Sequence, residues 1–322
     1  MNLLFILDPL AKLKAYKDSS VAMMRALQRR GHGLYACEIG ELFSVGSENG
    51  SEALAMARKV IVSDDNAHWY REEAMARMPL TAFDVVMMRK DPPFDMEYVL
   101  ATYVLEIAER AGVAVFNKPK RIRDFNEKAA ILRFPQYITP TLVSRKPEVL
   151  QAFIDEYSDT ILKPLDGMGG ASVFRVRADD PNRNVIIEVL NGFGARSVMA
   201  QRFIPAIHKG DKRVLMIGGK VVPFALARIP KSGETRGNLA AGGSGVAMPL
   251  SGREAEIAEA LALPLWEQGL LIVGLDIIGG FLTEVNVTSP TCFVEIAEQT
   301  GFDAAELLAD RLEEITLTTK NA

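Results

Sequence analysis

A glycine-rich segment at residues 163–172, KPLDGMGGAS, constrains the fold of this chain more than any other stretch. Residues 160–162 before it are Thr-Ile-Leu, which favour a strand, and residues 172–177 after it alternate between apolar and polar, so both flanks are predicted strands. Walker-type phosphate loops and dinucleotide turns instead open a helix whose N-terminal N–H groups hold the phosphate. The segment is therefore predicted to be a β-hairpin flap with Lys163 at its base, closing over phosphates. A glycine-rich surface hairpin is the alternative. The three glycines that would give the flap its backbone freedom are Gly167, Gly169 and Gly170.

Composition limits the class of protein. The 322 residues suffice for two domains or three small ones, and 48% hydrophobic with 24% charged residues is ordinary for a globular protein. The net charge of −4 gives no electrostatic argument for nucleic acid or an anionic membrane as a partner. Cys37 and Cys292 are far apart and have neither metal nor redox spacing. With no signal peptide and no apolar run of membrane length, the predicted location is the cytoplasm.

The first third of the chain alternates predicted strands and helices, which indicates a small α/β domain with a mostly parallel sheet ending near residues 117–119. No G-x-G-x-x-G motif follows its first strand, which argues against NAD or FAD. The predicted strands are 3–7, 34–37, 60–62, 84–88 and 113–116, and the predicted helices are 18–30 and 95–110.

The rest of the chain mixes both element types. Asp124 and Glu127 have the spacing of a capping box, which predicts the start of a helix that bears Lys128. Further predicted helices are 148–156, 253–268 and 303–316, and predicted strands are 185–189, 197–200, 214–217, 221–226, 272–278 and 282–287.

Asp276, Glu284 and Asn286 lie on two apolar strands joined at Gly279-Gly280. Glu284 and Asn286 share one face of their strand. A two-residue turn would pair Asp276 with Thr283, whereas a three-residue or bulged turn pairs it with Glu284; we predict the odd-length turn. Two carboxylates and an amide on one surface suit Mg²⁺. A polar hairpin without metal is the alternative.

Two arginine-bearing segments are further candidates. Residues 228–245 contain five glycines, Arg228 and Arg236 and few apolar residues, which favours a mobile lid over a disordered stretch. Its arginines could bind a carboxylate or a developing phosphate charge. Arg89 follows the predicted strand at 84–88, the position at which open α/β sheets bind ligands. Pairing of Arg89 with Asp91 or Asp95 explains it equally well.

The flap, the Asp…Glu-x-Asn surface and the lid together resemble the ATP-grasp ligases, and within them the bacterial glutathione synthetases. The similarity runs nearly end to end, with its weakest parts at 44–80, 177–197 and the C-terminal tail. It implies an α/β and α+β fold: a parallel N-terminal α/β (pre-ATP-grasp) domain at 1–123, then an ATP-grasp small lobe at 124–202 and a C-terminal lobe at 203–318. The motifs that carry it are MRKDPPFD (88–95), NKP (117–119), NEK (126–128), ILKPLDGMGGAS (161–172), GDKRVL (210–215), LARIP (226–230), GETRGNLAAGG (233–243), GLDIIG and TEVNVTSPT (283–291).

The resemblance implies ATP-dependent ligation of γ-glutamylcysteine with glycine through an acyl phosphate. Arg213 and Arg228 would clamp the reacting carboxylate and the tetrahedral intermediate, and the backbone of residues 201–204 would hold adenine. It assigns ATP to Lys128, Lys163, Gly167, Gly169, Gly170, Gln201, Ile204 and Asp211. It assigns the peptide to Arg89, Arg236, Ser289 and Thr291, and Mg²⁺, with Mn²⁺ as substitute, to Asp276, Glu284 and Asn286.

Other readings stay open at this point. Another ATP-grasp carboxylate–amine ligase of the dipeptide type would share the site and differ in its substrate pockets. A non-catalytic nucleotide sensor would lack a metal ligand or a lid arginine, and none is missing here. The resemblance also implies a homotetramer that binds small molecules. Ser244 stands where family members often have arginine after the double glycine of the lid.

Overall fold

The computed structural model describes residues 1–48, 50–234, 236–237, 239, 242–250 and 252–320. In this part of the chain the strands form three sheets of eight, four and five strands, which follow one another along the sequence.

The first sheet holds a parallel centre in the order β2-β1-β7-β8, as the strand and helix alternation predicts. Residues 3–7 of β1 are buried because strands pair with β1 on both edges. The antiparallel strands β3 to β6 extend this sheet and were not predicted, apart from the end of β4. Their bounds are β1 Asn2–Leu7, β2 Gly33–Glu38, β3 Leu42–Ser47, β4 Gly50–Val62, β5 Tyr70–Glu72, β6 Ala76–Pro79, β7 Val85–Met88 and β8 Ala114–Phe116, with helices α1 Ser19–Arg29, α2 Met96–Arg110 and α3 Pro119–Asp124.

The predicted helix starting at Asp124 is wrong. Asp124 ends α3, and the backbone beyond Lys128 forms only a short 3-10 helix, Ala129–Arg133. The Asn126 side chain, rather than Glu127, caps this turn by accepting from the N–H groups of Lys128 and Ala129. The Glu127 carboxylate instead bonds to residues 160 positions away, described below.

The second sheet is antiparallel, in the order β11-β10-β12-β9, and carries two helices. The predicted strand at 185–189 is wrong, because these residues lie in a helix that buries Ile187 and Leu190 and leaves Val185 and Val189 exposed. The β-branched residues favour a strand locally, but burial of one helical face decides the structure. The bounds are β9 Thr141–Ser144, α4 Pro147–Tyr157, β10 Asp159–Pro164, β11 Phe174–Arg177, α5 Arg183–Asn191 and β12 Val198–Arg202.

The third sheet is antiparallel, in the order β15-β14-β13-β16-β17. Strand β14 runs through Arg228 and Ile229, and β15 starts at Ser244, so both ends of the predicted lid at 228–245 lie in strands. The bounds are β13 Asp211–Ile217, β14 Lys220–Ile229, β15 Ser244–Pro249, α6 Gly252–Glu267, β16 Ile272–Ile278, β17 Phe281–Asn286, α7 Phe293–Thr300 and α8 Ala304–Lys320.

One face of the first sheet shares a hydrophobic core with the third sheet, whereas one face of the second sheet packs against its own helices. Leu3, Phe5 and Leu27 belong to the same cluster as Leu215 and Leu308, while Leu162 and Ile187 lie in a separate cluster with α4 and α5. Charges reinforce the first contact, since Arg30, the residue directly after α1, pairs with Glu306, Asp310 and Glu313 of α8. Among the described helices, none is both long and apolar enough to span a membrane.

Candidate active site

A cleft of about 850 Å³, partly open to solvent, lies between the second and third sheets. Strands β10 and β12 form one wall and strands β16 and β17 form the other. Polar and apolar lining residues both contribute: Lys128, Lys163, Asp211, Asp276 and Glu284 on the polar side, with Ile161, Met168, Val173, Phe203, Ile207 and Ile278 on the apolar side.

Lys128 and Lys163 converge on Glu284 at the floor of the cleft. Their Nζ atoms lie 3.8 and 3.4 Å from Glu284 Oε1. Lys163 also donates to the carbonyl oxygen of Thr283 at 3.3 Å, and Lys128 to that of Gly167. Burial lowers the pKa of Lys163, while Glu284 opposes that shift. Two buried ammonium groups facing one half-exposed carboxylate provide more positive charge than the carboxylate balances, which suits a phosphate chain.

The flap connects β10 to β11, which pair antiparallel with Leu162 opposite Phe174. The predicted strand–loop–strand arrangement is therefore confirmed. Gly169 and Gly170 have φ of 66° and 79°, the left-handed region that glycine adopts without strain. Gly167 has ordinary φ and packs close to Pro164. All three glycines line the cleft.

Four buried charges form a network beside the flap. Arg213 donates to both oxygens of Asp276, at 2.6 and 3.2 Å, and Arg228 lies between Asp276, at 2.8 Å, and Asp211. Burial acts to raise the pKa of Asp276, but the two guanidinium groups outweigh it and hold that pKa low. Burial raises the pKa of Asp211 to about 7, against the attraction of Arg228. Asp211 Oδ1 is buried at the edge of the cleft and has no hydrogen-bond partner among the described residues.

The β16–β17 hairpin places the predicted metal ligands together by a different route from the predicted one. The turn has two residues, Gly279-Gly280, with Ile278 opposite Phe281. Asp276 nevertheless pairs with Glu284, as predicted, because a bulge at Thr283 shifts the register. Asn286 projects on the same strand face as Glu284, and its Nδ2 donates to the Gly274 carbonyl at 3.1 Å.

These oxygen donors fit a divalent cation. Two carboxylates and one amide oxygen on adjacent strands match the ligand chemistry of Mg²⁺, which keeps water and phosphate oxygens as its other ligands. Asp276 and Glu284 already face cationic side chains, so an added ion would share their charge with the arginines and lysines. Among the described residues, no three Asp, Glu, His or Cys side chains converge on a common point, so the amide of Asn286 is required for a third protein ligand.

The family resemblance assigns adenine to the backbone of residues 201–204. The apolar side chains that line this end of the cleft were not predicted from the sequence. Gln201 lies on β12, with its side chain donating to Thr141 Oγ1 at 3.1 Å, and Ile204 follows that strand. Apolar side chains at Ile161, Phe203 and Ile278 form an apolar slot at this end of the cleft. The alternation of partly exposed and buried positions at the start of β10 is the signal that could have identified it.

Arg236 and Arg89, both assigned to the peptide, lie in different places, with Arg236 at the cleft and Arg89 outside it. Arg236 lines the cleft, where its guanidinium pairs with Glu234 and lies 3.5 Å from the Gly170 carbonyl oxygen. Several residues of the predicted lid (235, 238, 240 and 241) lie outside the described part of the chain. Ser244 begins β15, opposite Ile229.

Arg89 does not line the cleft but lies buried where the first and third sheets meet. It donates to Ser20 Oγ at 3.1 Å and to the carbonyl of Pro290 at 2.9 Å, and in the described part of the chain its Nη1 has no hydrogen-bond partner. Neither Asp91 nor Asp95 forms an ion pair with Arg89 in the described structure, which disfavours that alternative. Arg89 thus touches the segment that contains Ser289 and Thr291. Ser289 hydrogen-bonds Asp91, whose pKa burial raises.

Two family models match this chain. Residues 1–123 match the N-terminal domain of prokaryotic glutathione synthetase, and residues 127–301 match its ATP-grasp domain. Among curated proteins, the chain is 55% identical to the glutathione synthetase of Ralstonia nicotianae, covering 97% of this chain and 95% of that one. It is 52% identical to the glutathione synthetase of Nitrosomonas europaea, covering 98% of both.

Solved structures with the same fold are more distant. D-cycloserine synthetase superposes with a TM-score of 0.67 at 15% identity, covering 98% of this chain and 99% of that one. D-alanyl-alanine synthetase A from Vibrio cholerae superposes with a TM-score of 0.61 at 15% identity, covering 98% of both. An ATP-grasp ligase complexed with a precursor peptide gives 0.60 at 20% identity, covering 98% of both. At these identities the likeness establishes the ATP-grasp fold.

Proposed function

The chain belongs to the prokaryotic glutathione synthetase family, and we propose that the cleft between its second and third sheets carries out the reaction of that family. The protein is an ATP-dependent ligase that joins γ-glutamylcysteine to glycine, giving glutathione, ADP and phosphate. The observation that carries the location is the convergence of Lys128 and Lys163 on Glu284 beneath the glycine flap.

ATP is proposed to lie along the cleft with its base in the apolar slot and its phosphates over the lysines. The backbone at Gln201–Ile204 would hold adenine, flanked by Ile161 and Phe203. Gly167, Gly169 and Gly170 would allow the flap backbone to approach the phosphates closely. Lys128 and Lys163 would neutralise phosphate charge, since phosphoryl transfer depends on positioning and charge compensation. Asp211, beside the cleft, would face the nucleotide.

Activation of the peptide is proposed beside the arginine network. One oxygen of the cysteinyl carboxylate attacks the γ-phosphorus of ATP, which forms an acyl phosphate and releases ADP. The glycine amine then attacks the acyl carbon, the C–O bond to phosphate breaks, and the amine loses a proton. Arg213 and Arg228 would bind the carboxylate and then the oxyanion, which is where preorganised cations lower the barrier most. Arg236 and its segment would exclude water from the acyl phosphate.

Asp276, Glu284 and Asn286 are proposed to hold Mg²⁺, with Mn²⁺ as a substitute. Held by these three side chains, the ion would supply positive charge that offsets the negative charge developing on the phosphates during transfer. The chain's own contribution is to hold the three ligands on adjacent strands.

The peptide is proposed to extend from the cleft toward the first sheet. Arg89, together with Ser289 and Thr291, would hold it at the segment that Arg89 already contacts through Pro290.

A division of the chain into three parts, 1–123, 124–202 and 203–318, is also proposed, because each part would contribute one sheet. The family resemblance also supports a cytoplasmic homotetramer as a proposal, which size-exclusion chromatography with light scattering would test.

Phosphate release from ATP tests the proposed function when each reactant is omitted in turn. With Mg²⁺, turnover should require both γ-glutamylcysteine and glycine, and mass spectrometry should detect glutathione. Turnover that ignores γ-glutamylcysteine but responds to D-alanine or glutamate would favour a dipeptide ligase instead.

A further inference from the structure

Glu127 connects two parts of the site that the reaction must keep in register. Its carboxylate Oε1 accepts three hydrogen bonds, from Val287 N at 2.9 Å, Thr288 N at 3.0 Å and Thr288 Oγ1 at 2.8 Å. Its own carbonyl oxygen accepts from Val285 N at 2.8 Å. Residue 127 is thus fixed to residues 285–288 through both main chain and side chain.

Within the segment that it holds, Val287 and Thr288 have no strand partner among the described residues. Strand β17 ends at Asn286, so the polar backbone groups of Val287 and Thr288 lie beyond the ladder. Buried backbone groups need partners, and here side chains supply them. Glu127 accepts from Val287 N, and Asn117 donates to Val287 O at 2.7 Å. The chain is therefore fixed from both sides at the point where the proposed metal ligand Asn286 leads into the proposed peptide segment.

The residues before and after Glu127 in the sequence bond to the opposite wall of the cleft, at the base of the flap. Asn126 donates to the Leu165 carbonyl at 3.1 Å, and Lys128 donates to the Gly167 carbonyl. Successive residues thus bond alternately to the base of the flap and to the end of β17. The phosphate lysine and the Asn286–Thr291 segment are held in one arrangement by this junction.

We propose that Glu127 is a positioning residue that fixes residues 286–291 relative to Lys128, and so aligns the metal ligand, the nucleotide and the peptide. Glu127 itself contacts none of the proposed reacting groups. The expected effect on kcat/KM rests on the proposed function. The contacts of Glu127 with residues 285–288 also predict an effect on Mg²⁺-dependent nucleotide binding, which is measured without turnover.

The test compares Glu127→Ala with Glu127→Gln. Glutamine keeps an oxygen that can accept from Val287 and Thr288, whereas alanine leaves those donors without it. We expect Glu127→Ala to lower kcat/KM for γ-glutamylcysteine by on the order of 100-fold, the typical cost of misplacing reacting groups by about 1 Å. Glu127→Gln should recover to within about tenfold of wild type, which is about 1.4 kcal/mol. Glu106→Ala is the matched control, because it removes a carboxylate bound to Arg123 far from the cleft.

A second readout separates this proposal from the proposed function. Calorimetry with the non-hydrolysable nucleotide AMP-PNP gives its affinity with and without Mg²⁺. In Glu127→Ala, the gain in affinity from Mg²⁺ should shrink at least about fivefold, while metal-free binding and circular dichroism stay as in wild type. If wild type makes no glutathione but the Mg²⁺ effect is lost in the variant, the function fails and the positioning role stands. Unchanged Mg²⁺ dependence, or a glutamine variant as impaired as the alanine variant, would overturn the positioning role.

Discussion

Asp276 and Glu284 are cross-strand partners in the β16–β17 hairpin because Thr283 is bulged out of the ladder between them. Thr283 also bonds to both sides of the site, since its Oγ1 donates to the Asp276 carbonyl at 3.1 Å and its carbonyl accepts from Lys163 at 3.3 Å. The bulge therefore sets the metal candidates on one face and ties them to the flap lysine.

Glu284→Gln should lower kcat by about 100-fold or more, which amounts to loss of turnover, while the protein stays folded. The amide keeps the shape of the side chain but loses the charge that faces Lys128, Lys163 and the proposed Mg²⁺. Steady-state phosphate release and thermal unfolding measure the two effects. Glu188→Gln on the exposed face of α5 is the control and should behave as wild type. A fully active Glu284→Gln enzyme would refute the magnesium assignment.

Lys163→Met should raise KM for ATP by about tenfold or more, which is about 1.4 kcal/mol of lost binding. Stability should be unchanged or slightly higher, because a buried ammonium whose pKa is lowered by burial is replaced by an apolar chain. Initial rates across ATP concentrations and urea unfolding measure the two quantities. Lys146→Met, exposed at the start of α4, is the control. An unchanged KM for ATP would contradict the phosphate-binding role of Lys163.

Gly169→Ala and Gly170→Ala should each lower kcat/KM for ATP by roughly tenfold. A side chain at φ near 70° costs about 1–2 kcal/mol in this backbone region, so the flap would leave its cleft-facing conformation. Gly40→Ala is the matched control, since Gly40 has ordinary φ and open space where the methyl group would lie. Equal kinetics for the flap variants and the control would show that the flap conformation is not needed.

Asp211→Asn should gain stability relative to wild type as the pH rises from 5 to 8. Burial raises the pKa of Asp211 to about 7, whereas an aspartate in the unfolded chain titrates near pH 4. Between about pH 4 and pH 7 the folded state thus binds more protons, and the contribution of this carboxyl to the free energy of unfolding falls as pH rises. The asparagine variant has no carboxyl at this position, so its free energy of unfolding does not fall with rising pH for this reason. Urea unfolding of both proteins at pH 5 and pH 8 checks the sign, and a relative gain for wild type would contradict it.

Asn117→Ala should destabilise the protein by about 3 kcal/mol, because three buried backbone groups lose a partner. The Asn117 amide donates to the carbonyls of Ile272 and Val287 and accepts from Ile272 N, so it joins the first sheet to β16 and the end of β17. Asn182→Ala, whose side chain does not cap α5, should change stability by less than about 0.5 kcal/mol. Chemical denaturation measures both, and equal effects would contradict the account.

Patterns over a few residues predicted much of the fold. The alternating residues around the flap and the buried first strand each depend on local chemistry, and each was predicted. The two-residue turn at Gly279-Gly280 was not predicted, because the bulge at Thr283 that restores the pairing is fixed by contacts with Asp276 and Lys163.

Long-range partners decide the features that the sequence did not predict. The carboxylate of Glu127 fits a capping box locally, but its donors lie 160 residues later in the chain. The Arg213–Asp276–Arg228–Asp211 network likewise joins three strands whose order is visible only in the folded sheet. For the site, the residue types were predictable, whereas their mutual contacts depend on the packing of the second and third sheets.

The fate of the carboxylate oxygen tests the central claim most directly. Wild-type enzyme is supplied with γ-glutamylcysteine whose cysteinyl carboxylate carries ¹⁸O at both oxygens, with glycine, ATP and Mg²⁺. If ATP activates that carboxylate as an acyl phosphate, each phosphate released with glutathione should contain one ¹⁸O atom, transferred when glycine breaks the C–O bond. Glutathione formed together with unlabelled phosphate would contradict the account.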